Sequence, residues 1–499
     1  MQLSISAFLA KRAMLNPTME AVVDVATGER ISYAELDARS TRAALRLRAL
    51  GVEPGDRVAI LAMNSPLFID TYLGAARLGA ITVPLNWRLV ADELTFIVGD
   101  AGAVVLVAGD EFAAVGADVA GRPGSPVRHL LGPGWQDGAL ADALPGEPLA
   151  ADPLYIMYTS GTTGLPKGAV HTNASASWGA INMVASMDYQ HGDRYLNCMP
   201  LFHVGSLVPL NACIYRGCTT VLMKAFDPVG IWDVVGAERA CSFLAVPSML
   251  NLMGEGYDAD PERARSVRWM VTAGAPVPTA TLDAWSARGV DIVQGYGLTE
   301  CGGPATILSP AEAAAHMGSA GKAFFHADVA IVRRDGSVCD PGEAGEVVVR
   351  SDGNMIGYWN RPDATAETIV DGWLHTGDVA VMDADGYVTI QDRIKDMIIS
   401  GGENIYPAEL ENVILAHPGV REVAVIAQPS ARWGESPAAV VVRADEALTE
   451  ADILAWCAGK LARYKQPKAV VFAAEIPRNP SGKALKRILR DQFPGPAPE

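Results

Sequence analysis

Tyr158-Thr-Ser-Gly-Thr-Thr-Gly-Leu-Pro-Lys-Gly168 puts three glycines, four aliphatic hydroxyls and one lysine into eleven residues. Glycines let backbone N–H groups converge on an anion, hydroxyls add donors and Lys167 adds a cation, so the stretch suits a polyphosphate. It is not a Walker A loop, which needs Gly-Lys-Ser/Thr opening a helix. Here Pro166 precedes the lysine and Gly168 follows it, which disfavours a GTPase or P-loop kinase. A plain polar linker is the alternative. Tyr155–Met157 before the stretch and Ala169–Val170 after it read as strand edges, and they argue against a linker.

Moving outward, short β-branched runs alternate with Ala-rich helical stretches. Residues 58–61, 81–85, 104–108, 219–223, 243–246, 269–272 and 291–294 read as buried strands. Residues 33–50 read as a helix, with Ser32 and Glu35 at capping-box spacing and Gly51 past its end. This alternation predicts parallel sheets covered by helices. Residues 113–151 read as a loop-bearing region with some helix. Residues 329–349 change character, with two alternating runs and the turns Arg334-Asp335-Gly336 and Asp340-Pro341-Gly342, as in antiparallel strands. From Asp392 a small unit begins. It has helices over 407–416 and 453–461, strands over 423–427, 439–442 and 469–473, and a loop over 477–483. The tail from Pro494 is expected to fray.

The 499 residues call for more than one domain, and 49% hydrophobic against 19% charged residues is a globular mix. A net charge of −17 with no Lys/Arg run argues against nucleic acid as a partner. The seven cysteines contain no Cys-X-X-Cys pair, so zinc-ribbon and thioredoxin chemistry lack their spacing. Sparse thiols fit a cytoplasmic protein. The first seventeen residues lack the apolar core of a signal peptide, and no run of about 18 apolar residues predicts an integral membrane segment.

Five further motifs follow the loop in order: Tyr296-Gly-Leu-Thr-Glu300, Thr376-Gly-Asp378, Asp392-Arg-Ile-Lys395, Ser400-Gly-Gly-Glu-Asn404 and Pro480-Ser-Gly-Lys483. With them nearly the whole chain resembles the adenylate-forming superfamily of acyl-CoA synthetases, luciferases and peptide-synthetase adenylation domains. The resemblance is greatest to bacterial fatty-acyl-CoA ligases. It implies an α/β fold: a large N-terminal domain (1–391) of two helix-covered sheet subdomains and a small β-barrel-like one, a hinge (392–395), and a small mobile α+β C-terminal domain (396–499). It also implies an ATP-dependent acid–thiol ligase. The carboxylic acid first forms an acyl-adenylate with release of pyrophosphate. Coenzyme A then takes the acyl group, leaving AMP. A homodimer is a family-level expectation.

The resemblance carries roles residue by residue. Thr159, Ser160, Gly161, Thr162, Thr163, Gly164 and Lys167 would hold the phosphates. Gly274, Ala275 and Pro276 would border adenine opposite the stacking Tyr296, between Gly295 and Gly297. Thr299 would touch the α-phosphate, and Glu300 with Thr163 would hold Mg²⁺, a hard cation suited to oxygen ligands. Asp378 would accept both ribose hydroxyls, with Arg393 assisting and Ile390 in the nucleotide set. Lys483 would bridge the carboxylate and the α-phosphate. Lys395 matches the hinge. Gly401, Gly402, Glu403, Trp433 and Tyr464 match coenzyme A positions, while Gln466 stands where some relatives carry a basic residue.

Met199-Pro-Leu-Phe-His-Val-Gly-Ser206 matches the acyl-site gate. His203 lies at the position near the carboxylate, and a core histidine is the alternative reading. Val204 replaces the Asp that pairs an amino-acid ammonium, so an amino acid would leave its cation unpaired. Val204, Gly205, Ser206, Gly302, Gly303 and Pro304 predict an apolar acyl pocket. No Arg or Lys stands in these segments, which disfavours a dicarboxylate. A medium- or long-chain fatty acid leads, with aryl, cinnamic or polycyclic acids open. Transfer to a carrier protein, thioesterification alone, and a non-catalytic nucleotide-binding regulator are the competing readings.

Overall fold

A computed structural model describes residues 3–159, 165–274, 277–400, 403–430, 433–458, 460–478 and 484–495, with the side chain of Pro304 also left aside. The strands Pro153–Thr159 and Lys167–Thr172 pair antiparallel, and Thr159 lies opposite Lys167. The described ends of the phosphate-loop stretch are therefore held in paired strands. The Ile156 and Tyr158 side chains pack closely over Gly168: a Cβ there would meet Ile156 Cγ2 at 2.5 Å, so glycine suits the position.

This hairpin ends a seven-stranded sheet that continues through Ile81–Pro84, Arg57–Leu61, Ala103–Ala108 and His129–Leu131, with the two-residue strand Gly357–Tyr358 outside it. A nine-stranded sheet runs Lys322–Ala323, Gly303–Ile307, Ile292–Leu298, Trp269–Thr272, Ser242–Leu244, Arg194–Asn197, Thr219–Leu222, Glu20–Asp24 and Arg30–Ser32. Helices Ile5–Leu15, Pro66–Leu78 and Val204–Arg216 contribute to one core with strands of both sheets. That core joins Phe8, Phe68, Tyr72 and Leu207 to Val22 and Leu222 of one sheet and Ile60 and Tyr155 of the other. The helix predicted at Tyr33 is Tyr33–Ala49, with its Ser32/Glu35 capping box formed and Gly51 at φ +80°.

The expected parallel pairing fills the middle of the larger sheet and runs in the other from Pro153–Thr159 to the edge strand His129–Leu131. Gly303–Ile307 and Lys322–Ala323 run antiparallel at one end of the larger sheet, Arg30–Ser32 at the other, and the phosphate hairpin is antiparallel. Of these, Arg30–Ser32 and Lys322–Ala323 are short and partly exposed, and so lack the continuous apolar runs of buried parallel strands.

A five-stranded antiparallel sheet follows: Asp328–Val332, Ala344–Arg350, Trp373–Met382, Ile369–Val370 and Val388–Arg393. Its core of Ile331, Val347, Leu374 and Val388 also takes in Cys301, with Tyr296 and Tyr358 packed against it. A last sheet joins Ile398–Ser400, Glu403–Ile405, Val420–Ser430, Gly434–Arg443 and Ala469–Phe472 to the helices Pro407–Leu415, Glu450–Cys457 and Lys486–Gln492. One face of it packs Ile398, Leu410, Val425 and Ile453; the other packs Ile426, Val440 and Leu489. Its central strands are longer than the apolar runs 423–427 and 439–442, because the pairing continues through Gln428–Ser436, Pro429–Glu435 and Ser430–Gly434. The helix expected over 453–461 ends at Cys457, and Ala458 and Leu461 form a bridge instead.

Candidate active site

Strand ends gather the predicted residues. The strand Ile292–Leu298 carries Gly295, Tyr296 and Gly297, and the 3₁₀ turn Thr299–Cys301 continues it with Thr299 and Glu300. The half-buried Tyr296 donates its hydroxyl to Asp378 Oδ2 at 2.7 Å, and Arg393 Nε lies 3.1 Å from Asp378 Oδ1. Burial first, then the Asp378 charge, pushes the Tyr296 phenol well above its usual range, so it stays a donor. Asp378 and Arg393 are cross-strand partners. The irregular stretch of strand before Asp378 is held by Glu346, whose carboxylate accepts from Gly377 N at 2.9 Å and contacts His375 Nδ1 at 2.8 Å. Ile390 packs in the same core as Tyr296. Gly274 follows the strand Trp269–Thr272 with φ +85°, a conformation that favours glycine.

The second focus is Glu300. Thr159 Oγ1 donates to its Oε1 at 3.3 Å, and Tyr358 OH donates to the same oxygen at 2.9 Å. Lys167 Nζ sits 5.2 Å from the centre of the Tyr358 ring. The backbone carbonyl of Thr299 is held by His171 Nε2 at 2.8 Å. His171 is wholly buried, and that burial lowers its pKa to about 4, so it is neutral. Glu300 Oε2 takes no hydrogen bond from a described residue. One hard carboxylate oxygen beside a phosphate loop fits Mg²⁺, which binds through one or two carboxylates with phosphate and water oxygens.

At the gate, His203 caps the helix Val204–Arg216. Its Nε2 is buried without a hydrogen-bond partner, and burial, then the nearby Arg88 charge, lowers its pKa to about 4. Arg88 stacks 4.3 Å over Trp87 and lies 5.9 Å from the Phe202 ring. The gate segments themselves lack a cation, but folding brings Arg88 to them, and sequence spacing gave no sign of it. Gly205 lies against Leu244. Ser206 is fully buried, with its hydroxyl bonded to Asn197 and Met199. Gly302 has φ +69°, and a Cβ there would meet Gly353 O at 2.2 Å. Gly303, at φ +120°, faces Val208. Gly302 thus answers to close backbone packing, and Gly303 to its positive φ, as well.

In the small unit, Trp433 and Tyr464 are exposed, at 44% and 42%, and Glu403 is exposed too. Gln466 Nε2 donates to Leu461 O. Lys395 lies in a turn and is exposed. Ser160, Gly161, Thr162, Thr163, Gly164, Ala275, Pro276, Gly401, Gly402 and Lys483 lie outside the described residues. The neck of the Lys483 loop is described: Arg478 and Ala484 form an antiparallel bridge.

Two helix-covered sheets, an antiparallel sheet carrying Asp378 and a small α+β unit bearing Lys483 in its sequence define a ligase of the adenylate-forming class. The AMP-binding enzyme model matches residues 9–359, and the AMP-binding enzyme C-terminal domain matches 409–483. The chain is 43% identical to the long-chain-fatty-acid–CoA ligase FadD13 of Mycobacterium tuberculosis, over 98% of this chain and 99% of that one. It is 42% identical to a feruloyl-CoA synthase of Amycolatopsis, over 97% and 98%. Among solved structures, the o-succinylbenzoate coenzyme A synthetase of Bacillus subtilis with ATP and magnesium superposes with a TM-score of 0.89 at 32% identity, covering 97% of this chain and 99% of that one. The chain belongs to the AMP-binding enzyme family. Among the described residues no helix is long and apolar enough to cross a membrane.

Proposed function

We propose that this acyl-CoA ligase activates a hydrophobic carboxylic acid, first choice a medium- or long-chain fatty acid, in two half-reactions. The observation that carries the reading is the half-buried Tyr296–Asp378–Arg393 cluster set beside Glu300 at the phosphate hairpin. The Tyr296 ring offers adenine an aromatic face. Asp378 keeps lone pairs for ribose hydroxyls while Arg393 and Tyr296 orient it. The hairpin hydroxyls and Lys167 take the triphosphate. Mg²⁺ held at Glu300 neutralises phosphate charge when bound.

In the first half-reaction the acid's carboxylate oxygen attacks the α-phosphorus, a P–O bond to pyrophosphate breaks, and the mixed anhydride results. Lys483 is assigned the role of stabilising the negative charge that builds at the α-phosphate. In the second, a coenzyme A thiolate attacks the acyl carbon and AMP leaves. The two steps need different groups, so we assign residues 1–391 to a fixed domain, 392–395 to a hinge and 396–499 to a small domain that reorients about Lys395. Gly401, Gly402 and Glu403 would then serve the pantetheine path, and Trp433 and Tyr464 the coenzyme A surface. The neutral His203 and Val204 support an apolar acid and offer an ammonium group no counter-charge. Arg88 reopens dicarboxylates, so they belong in the acid panel.

The test is AMP, pyrophosphate and thioester formation across aliphatic, aryl and dicarboxylic acids, with and without coenzyme A. We expect AMP and pyrophosphate in equal amounts, and thioester only with coenzyme A. ADP as the spent nucleotide would sink the mechanism. Adenylate without thioester would move the acceptor to a carrier protein. Lys483→Ala should cut adenylation by about a thousandfold or more, while transfer from supplied acyl-adenylate survives. Equal loss of both half-reactions would remove Lys483 from its assigned role.

A further inference from the structure

Glu300 is not a free carboxylate. Two neutral hydroxyls, Tyr358 and Thr159, converge on Oε1 at 2.9 and 3.3 Å, and Oε2 receives nothing from the described residues. The asymmetry matters. A carboxylate on a rotatable side chain can present either oxygen, or both, to a cation. One whose first oxygen is already claimed presents the second.

Tyr358 is built to do this. Its backbone is zipped to the phosphate hairpin: Gly357 and Tyr358 pair with Val170 and Ala169, and Trp359 N donates to Gly168 O at 2.8 Å. Tyr358 N donates to Thr365 Oγ1 at 2.8 Å. The segment just after it is clamped to Asp100, which accepts from Arg361 at 2.6 Å and from Tyr158 OH at 2.7 Å, while Trp359 Nε1 reaches the Asp100 carbonyl at 3.2 Å. The phenol hydroxyl is the donor and the Glu300 carboxylate the acceptor. Lys167 lies over the ring. The chain from Lys167 through Tyr358 to Glu300 thus ties the phosphate hairpin to the Thr299–Cys301 turn from the adjoining sheet.

We propose that Tyr358 is a positioning residue for the metal-binding carboxylate: its hydroxyl, supported by that of Thr159, claims Glu300 Oε1 and reserves Oε2 for the divalent cation that accompanies ATP. This rests on the ligase reading above. The group acts through Glu300 and touches no reacting atom.

The experiment measures Mn²⁺ binding by electron paramagnetic resonance to the full-length chain with saturating ATP and no acid, so that nothing turns over. Wild type and Tyr358→Phe are compared, and AMP binding without metal is measured alongside. Phe keeps the ring and removes one hydroxyl. We expect the Mn²⁺ dissociation constant to rise about tenfold, the order set by one hydrogen bond to an ionised group, with AMP affinity unchanged. In a Glu300→Gln background the same substitution should change Mn²⁺ binding less than twofold. Unchanged Mn²⁺ affinity in Tyr358→Phe would overturn the proposal. So would an equal loss of AMP affinity, or failure of the variant to fold by circular dichroism, since either makes the hydroxyl structural. A wild-type chain that holds no Mn²⁺ with ATP would instead sink the ligase reading, and this proposal with it.

Discussion

Single side chains here carry consequences that can be read as pH dependence. His171 and His203 both titrate near 4 because burial penalises the imidazolium. Their unfolded pKa lies near 6.5, so below that value the unfolded chain binds protons that the folded chain refuses. Stability is therefore present above about pH 6.5 and is lost as pH falls toward 4, by about 1.4 kcal/mol per pH unit for each histidine. Urea unfolding at pH 7, 6 and 5 should show the loss, and His171→Gln should make the slope shallower. An unchanged slope in that variant would mean the ring is not buried neutral. His171 also marks a limit of sequence reading. It holds the Thr299 carbonyl across 128 positions of chain, and a lone histidine in an apolar strand announces no partner. Tyr358 and Arg88 went unread for the same reason: their partners come from distant segments, and no spacing rule joins them.

At the scale of the element, the helix Lys486–Gln492 is anchored by charge. Lys486, with a side chain only 12% exposed, pairs with Glu411 at 2.8 Å, and Arg490 pairs with Asp396 at 2.9 Å. Asp392 accepts Ala408 N at the start of Pro407–Leu415. Lys486→Met would leave Glu411 without its partner in a mostly buried place, at a cost of about 3 kcal/mol or more. Chemical denaturation should show the small unit melting ahead of the large one, and adding Glu411→Leu should recover part of the loss. A single unshifted transition would show that the pair adds nothing. Elements of this unit were legible where periodicity is clean: the Thr449/Asp452 capping box forms as read, and the strand over 469–472 is found. The long hairpin Val420–Ser430 with Gly434–Arg443 was only half legible. Its outer pairs are polar, and backbone pairing without an apolar face leaves no pattern in sequence. The edge strand His129–Leu131 hides in a Gly/Pro-rich stretch for a related reason, being short and half exposed.

For the whole molecule the question is which unit owns the nucleotide. The side chains that meet around Asp378 and Glu300 are Thr159, Tyr296, Tyr358 and Arg393, and all precede Lys395. The cores beneath them draw on residues before Lys395 as well. Motif order is what suggests this division: the loop, Tyr296–Glu300 and Thr376–Asp378 come first, and Lys483 comes last. The geometry joining them was not readable, because it depends on how separate sheets pack. A chain ending at Lys395 should therefore fold and bind AMP within about threefold of full length, since contacts this distant contribute nearly independently. Having lost Lys483, it should release no pyrophosphate above background with any acid. Equilibrium dialysis with AMP and a pyrophosphate assay decide both halves. If AMP binding fell by about a hundredfold, the small unit would be completing the nucleotide site. If pyrophosphate release survived, charge stabilisation at the α-phosphate would have to come from Lys167 and the hairpin alone.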